Sequence, residues 1–331
     1  MNTNRSASLR TLLCIVLALP LFGLTLPSAF GFWSTVGSAA VIDDTSIPTA
    51  ATGSAPVASA VEGETYAGVY VELPLSATDA DGDAVIFKMI EAPRLGTAKI
   101  DGAILQYTPN EGKTGTEKFT YAAVDTLGNI SEPAQIKIKI RKNAAKMTYA
   151  DMTSDGAHYA ALRLSQCGVL TGEKIGASYF FRPDDAVTRS EFIAMASAIA
   201  KLPIEETVQT DFVDDSGLSP WAKPYISAAA NTGLVSGYLT ASGGAEIRGG
   251  NPITAAEASV IVNNILTENM DTPLEAAALE NSAAPAWAAS ATARLTAAKV
   301  LPDDAKSDPS EKITRRTACE MLYRAMTLMD S

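Results

Sequence analysis

The residues best suited to chemistry recur in a four-residue pattern: Thr188-Arg189-Ser190-Glu191, Thr254-Ala255-Ala256-Glu257 and Thr314-Arg315-Arg316-Thr317. A threonine three residues ahead of a glutamate is the capping box that opens a helix. The hydroxyl accepts from the third helical amide, and the carboxylate accepts from the amide of the threonine. That accounts for Thr188, Glu191, Thr254 and Glu257. It does not account for Arg189 and Arg315. A cation in the first helical turn opposes the macrodipole by about 0.3–1 kcal/mol, a cost easier to understand if the guanidinium meets an anion. Free helix N–H groups and a guanidinium can converge on one carboxylate. Trp221 and Trp287 open helices behind Pro220 and Pro285-Ala286, where an indole either stacks on a sugar face or wedges the fold. The candidate binding set is therefore Arg189, Arg315, Trp221, Trp287, Thr188, Glu191 and Glu257.

Asp79, Asp81 and Asp83 are the candidate metal ligands. Their carboxylates could serve calcium, which takes oxygen ligands, with Asp125 joining from a neighbouring loop. The same Asp- and Gly-rich stretch suits a turn between strands, and no glutamate stands at EF-hand spacing. No other cofactor is expected. His158 is the one histidine and is expected on a helix surface. No serine or cysteine motif accompanies it, so no histidine triad is assembled. Without a nucleophile elbow, phosphate loop or metal ladder, the chain reads as non-catalytic. Cys167 and Cys319 read as separated, buried thiols rather than as a bridge.

The bulk composition narrows the partners. The chain has 331 residues, enough for two or three domains, with a formal net charge of -11. Nucleic acid and anionic membrane faces repel such a molecule. An acidic polymer would have to be met by local arginines, because the field of the whole chain is screened beyond ~8 Å at physiological salt.

The elements that must position these residues follow from periodicity. Arg5 and Arg10 precede an apolar run, Leu12 to Leu26, and small residues follow at Ser28, Ala29 and Gly31. This is the layout of a secretory signal peptide over 1–31, leaving no stable membrane span after cleavage. Residues 32–55, rich in Ala, Ser, Thr and Gly, read as a flexible leader. From 56 to 142 the period is two. Val69, Val71, Leu73 and Leu75 alternate with Tyr70, Glu72 and Pro74, and Ala134, Ile136, Ile138 and Ile140 with Gln135, Lys137, Lys139 and Arg141. Turn signals between them predict an antiparallel sandwich. After Lys142 the period becomes 3.6 and the sequence repeats itself. Gly156-Ala157, Trp221-Ala222 and Trp287-Ala288 align, and Gly168, Gly233 and Lys299 each follow twelve residues later. The apolar stripes Phe192-Met195-Ala196-Ile199, Ala258-Ile261-Val262-Ile265 and Ala318-Met321-Leu322-Ala325 are spaced to bury one another in a shared centre. The units span 143–205, 206–270 and 271–331.

Two resemblances follow. Asp79-Ala80-Asp81-Gly82-Asp83, Gly96-Thr97-Ala98, Tyr107-Thr108-Pro109, Gly115-Thr116 and Phe119-Thr120-Tyr121 resemble bacterial immunoglobulin-like, cadherin-like surface repeats. The aromatic-x-Asp elements Tyr149-Ala150-Asp151 and Phe212-Val213-Asp214, the Trp-Ala helices, the Gly-hydrophobic turns and the Thr-Arg-x-Glu starts resemble the S-layer homology (SLH) family. The implied fold is an all-β immunoglobulin-like sandwich followed by an all-α three-repeat SLH pseudo-trimer. The implied partner is cell-wall polysaccharide, often pyruvylated, or peptidoglycan, bound in grooves between repeats at the cell surface. A subunit of a surface lattice and a wall-associated hydrolase with its site in the β-domain are the alternatives. The copies differ: unit one has Gly156 where the others have tryptophan, unit two has Ala255 for arginine, and unit three has Thr317 for glutamate. If a groove combines elements of neighbouring units, one or two grooves should survive rather than three.

Overall fold

The structure is a computed structural model that describes residues 53–144, 146–270, 274–275 and 283–330. The expected signal peptide, and the leader up to residue 52, lie outside the described residues. Among these, no helix is long and apolar enough to cross a membrane.

The β-domain contains β1 (Val57–Ala58), β2 (Val61–Tyr66), β3 (Val71–Pro74), β4 (Ala77–Thr78), β5 (Ile86–Met89), β6 (Gly96–Asp101), β7 (Ile104–Pro109), β8 (Gly115–Val124) and β9 (Ala134–Arg141). Two sheets face each other, one ordered β2-β9-β8-β5 and the other β3-β7-β6, with β1 and β4 paired at the side. Alternation puts Ala134, Ile136, Ile138 and Ile140 of β9 inside, against Leu105, Tyr107, Phe119 and Tyr121. The β6–β7 hairpin closes on Gly102 in the left-handed region, φ +56°, which a two-residue turn needs.

The structure corrects two expectations for this domain. The sandwich is not wholly antiparallel, because β2 runs parallel to β9, with Val61 opposite Ile136 and Tyr66 opposite Arg141. The strand expected from Val69 to Leu75 is shorter, because the amide of Val69 donates to the carbonyl of Tyr66 at 3.0 Å and the chain turns there. That turn takes Val69 out of the sandwich and into the core of the helical region.

The helical region contains α1 (His158–Gln166), α2 (Arg189–Ile199), α3 (Lys223–Asn231), α4 (Ala255–Asn269), α5 (Ala289–Ala297), α6 (Asp303–Ser307) and α7 (Arg315–Met329). It is not purely helical. Short hairpins β10 (Glu173–Ile175) with β11 (Ser178–Phe180), and β12 (Tyr238–Leu239) with β13 (Ala245–Glu246), fill the loops. The three apolar stripes of α2, α4 and α7 are buried in one core.

A closed ring of backbone hydrogen bonds lies within that core. The Val187 amide donates to the Ile313 carbonyl at 3.2 Å, Ile313 to Ile253 at 3.0 Å, and Ile253 back to Val187 at 2.9 Å. Each unit thus donates to one neighbour and accepts from the other. The residues that open the three long helices make a second cycle, in the opposite sense. Arg189 and Ser190 donate to the Asn251 and Gly249 carbonyls, Ala255 and Ala256 to Glu311 and Pro309, and Arg315 and Arg316 to Asp185 and Pro183. These are the amides expected to be free for an anion. They are spent on the next unit's loop, since amides at a helix start find partners wherever water is excluded.

Two of these three loops are held by the aspartate of an aromatic-x-Asp element. Asp151 accepts from the amides of Phe181 and Arg182, and Asp214 from those of Ile247 and Arg248. Arg182 and Arg248 are thereby fixed at φ 56° and 54°, a left-handed conformation that costs a non-glycine residue about 1–3 kcal/mol.

Candidate functional site

Thr188 and Thr254 are capping residues, as their spacing predicts. The hydrogen bonds of Glu191 stay within its own helix start: its Oε2 accepts from the Thr188 amide and hydroxyl, each at 2.8 Å, and its own amide donates to Thr188 Oγ1 at 3.3 Å. Glu257 and Thr254 make the same pair at 3.0 and 3.3 Å. At α7 the box is half made, with the Thr317 amide on Thr314 Oγ1.

Arg189 is the side chain that capping does not explain. It is 8% exposed, and its Nε has no hydrogen-bond partner. Its guanidinium lies 5.1 Å from the centre of the Tyr238 ring, and Nη1 stands 3.9 Å from Glu257 Oε2. Tyr238 donates its hydroxyl to Glu257 Oε1. Burial, and then that carboxylate, push the phenol up to about 12, so it stays a neutral donor. Leu234, Ile261 and the exposed indole of Trp287 complete a groove of about 430 Å³. The groove therefore draws on α2, on the loop before β12 and on α4, and takes its tryptophan from the stretch before α5. Its polar lining comprises that under-satisfied guanidinium with Glu257, Ser236 and Asn264, beside an aromatic wall, and the guanidinium is the group there that could meet a carboxylate carried on a ring.

Tyr238 was not among the residues singled out in the sequence. It follows Gly237, whose φ is +70° and where a Cβ would stand 2.7 Å from Phe212 and 2.8 Å from the Glu246 carbonyl. The turn that aims Tyr238 is thus built on a glycine, but the tyrosine has no counterpart in the other units to mark it.

Arg315 is placed differently. Its Nε donates to the Phe181 carbonyl at 2.7 Å and its Nη2 to the Thr171 carbonyl at 3.3 Å, with the guanidinium 4.9 Å from the Phe181 ring centre. Part of its donor capacity is therefore used to hold a neighbouring loop. Trp221, like Trp287, is largely exposed.

The aspartates of the β-domain do not form a cation cage. Asp79 Oδ1 accepts from the amides of Asp81 and Asp83, Asp81 Oδ2 from the Ser54 amide, and Asp83 Oδ1 from the Thr126 hydroxyl. Asp79 Oδ2 has no donor, but one oxygen cannot replace six. Asp125 is occupied by Leu127 and Asn129, whose hydrogen bonds outweigh burial and hold its carboxyl below the usual range. Among the described residues no three His, Cys, Asp or Glu side chains converge for a metal. Turn chemistry accounts for this stretch.

His158 is buried rather than on the surface, and its Nε2 accepts the Tyr149 amide at 3.2 Å. Burial lowers its pKa, so the ring is a neutral core group. Cys319 is buried as expected, but Cys167 is exposed, and both thiols are free.

Family models match residues 46–139 as a bacterial Ig domain and residues 211–259 as an S-layer homology domain. The chain carries a bacterial Ig domain followed by an SLH domain. The Ig match covers the sandwich, and the SLH match covers the unit that supplies Tyr238 and Glu257. An SLH domain marks a surface protein associated with the cell wall. No curated protein matches the chain. Among solved structures, a variant of the SrpA adhesin from Streptococcus sanguinis is 18% identical over 29% of this chain and 63% of its own, with a TM-score of 0.22. An endo-fucoidan hydrolase of glycoside hydrolase family 107 is 22% identical over 28% of this chain and 14% of its own, TM-score 0.22. The D00-D0 domain of intimin is 15% identical over 27% and 48%, TM-score 0.19. The chain thus spans less than two thirds of each of these neighbours, and none of them bears on its function.

Proposed function

We propose that the chain is a non-catalytic anchor. In this reading residues 149–328 are three SLH repeats closed into a pseudo-trimer that grips an anionic cell-wall polysaccharide and carries the Ig domain at the surface. The cyclic hydrogen bonds through Val187, Ile253 and Ile313 support counting the flanking units as SLH repeats. The observation that carries the binding assignment is Arg189. A buried guanidinium with an orphaned Nε is costly unless a ligand completes it. A pyruvyl ketal offers a carboxylate to that guanidinium and a sugar face to Trp287.

The test is co-sedimentation of the chain with cell-wall sacculi, before and after the accessory polysaccharide is stripped. Binding that disappears on stripping and falls in Arg189→Ala supports the proposal. Binding that survives stripping assigns the partner as peptidoglycan, and an absence of binding to either overturns the anchor reading.

A further inference from the structure

The losses that look scattered along the sequence fall in one place. The cyclic order of the units means that each groove takes its arginine position from one unit, its glutamate from the next and its tryptophan from the third. In the groove described above these are Arg189, Glu257 and Trp287. One step around the ring, the corresponding positions are Arg315, Glu191 and Trp221, with α3 packed on α2 as α5 is on α4. One further step, they are Ala255, Thr317 and Gly156. Two sets are complete, and the third has lost all three members.

The third set also sits in the wrong field for an anion. Thr317 donates its hydroxyl to Asp304, and Asp155 and Glu320 stand nearby. The cations there are already paired: Arg316 Nε lies 2.8 Å from Asp155 and Arg324 Nη2 2.7 Å from Glu320.

The Ig domain reaches this same place. A Cβ on Gly156 would stand 2.9 Å from Glu72 Oε2 and 3.3 Å from Glu72 Cβ on β3, so an indole there would collide with the sandwich. Beside it Glu64 of β2 accepts from Tyr159 Oη at 2.7 Å and from Arg163 Nη1 at 3.1 Å on α1, and from Arg141 Nε of β9 at 2.7 Å. Tyr66 donates to Gln166 at 2.6 Å and meets Tyr159 edge-on at 5.0 Å, and Tyr159 meets Tyr323 of α7 at 5.8 Å. Tyr66 and Val69 are buried in the core of the helical region.

We propose that the chain binds wall polymer through two grooves, and that the third has become the docking seat of its own Ig domain, with Gly156 as the residue that admits it. This rests on the anchor reading for the two complete grooves, whereas the seat itself stands on the contacts just described. The experiment is calorimetric titration of the full chain with a glycoside of pyruvyl-ketal-bearing hexosamine, with the ketal-free glycoside as control, alongside small-angle scattering of the unliganded protein. The expected result is two equivalents bound per chain, one in Arg189→Ala, one in Arg315→Ala and none in the double variant. Three equivalents, or one, would overturn the two-groove assignment while leaving an anchor. No binding of the ketal glycoside would overturn the anchor reading and the groove count with it. Scattering reads the seat separately: Gly156→Trp and the milder Glu64→Ala should both lengthen the particle. An unchanged length in both would overturn the seat even if two equivalents bind.

Discussion

Arg189 and Arg315 share a place in the sequence pattern, and their surroundings separate them. Arg189 keeps an unpaired, buried Nε, whereas Arg315 uses donors on the Phe181 and Thr171 carbonyls. A charge-assisted hydrogen bond contributes about 1.5–3 kcal/mol, so Arg189→Ala should weaken its groove for the ketal glycoside about ten- to hundredfold in titration. Arg315→Ala should in addition lower the urea midpoint, because two loop carbonyls lose their donor. His158 gives a pH test. Burial holds its folded-state pKa below the ordinary value of about 6.5, so the folded protein takes up fewer protons than the unfolded one as the pH falls. Its contribution is complete above about pH 6.5 and drains away on acidification. Urea midpoints at about pH 7.5 and about pH 5 should therefore differ more in the parent protein than in His158→Gln.

At the scale of elements, the Thr-x-x-Glu starts of α2 and α4 were legible in the sequence, because a capping box is a local bargain between residues three apart. Thr254→Ala should cost about 1 kcal/mol in urea unfolding. The β9 strand was legible for the same local reason, its four alternating apolar residues all lying inside. The parallel pairing of β2 with β9 was not, since side-chain period is the same for either direction. Nor was the fate of the helix-start amides, which depends on the loop of another unit arriving to accept from them. The burial of His158 escaped for a related reason: Tyr149, whose amide it accepts, is supplied by the segment before the helix. The candidate binding residues were found because they recur. Tyr238 was missed because it does not, and the grouping of Gly156, Ala255 and Thr317 needed the order of the units in space. Ile253 takes part in the backbone ring and is wholly buried, so Ile253→Ala should cost about 2–5 kcal/mol as a cavity, more than any cap.

At the scale of the whole molecule, Glu64 is the joint between the domains. Burial opposes its charge, but hydrogen bonds from Tyr159 and Arg141 prevail and hold its carboxyl below the usual range. A carboxylate lowered in the folded state stabilises above its unfolded pKa of about 4.3, and that contribution is lost as the pH falls through the folded value. The Ig domain should therefore loosen in acid below about pH 4, seen as a longer particle in scattering, and Glu64→Ala should show that length already at neutral pH.

The ring through Val187, Ile253 and Ile313 also dictates an order of events. A chain made from its N-terminus places Val187 and Ile253 long before Ile313 exists, so the Val187 amide waits without its acceptor and Ile253 without its donor. Early units can form helices but cannot seal their shared interior until the last one arrives. The first two units should stay loose until the segment bearing Ile313 joins them, and the three should then lock in a single cooperative step.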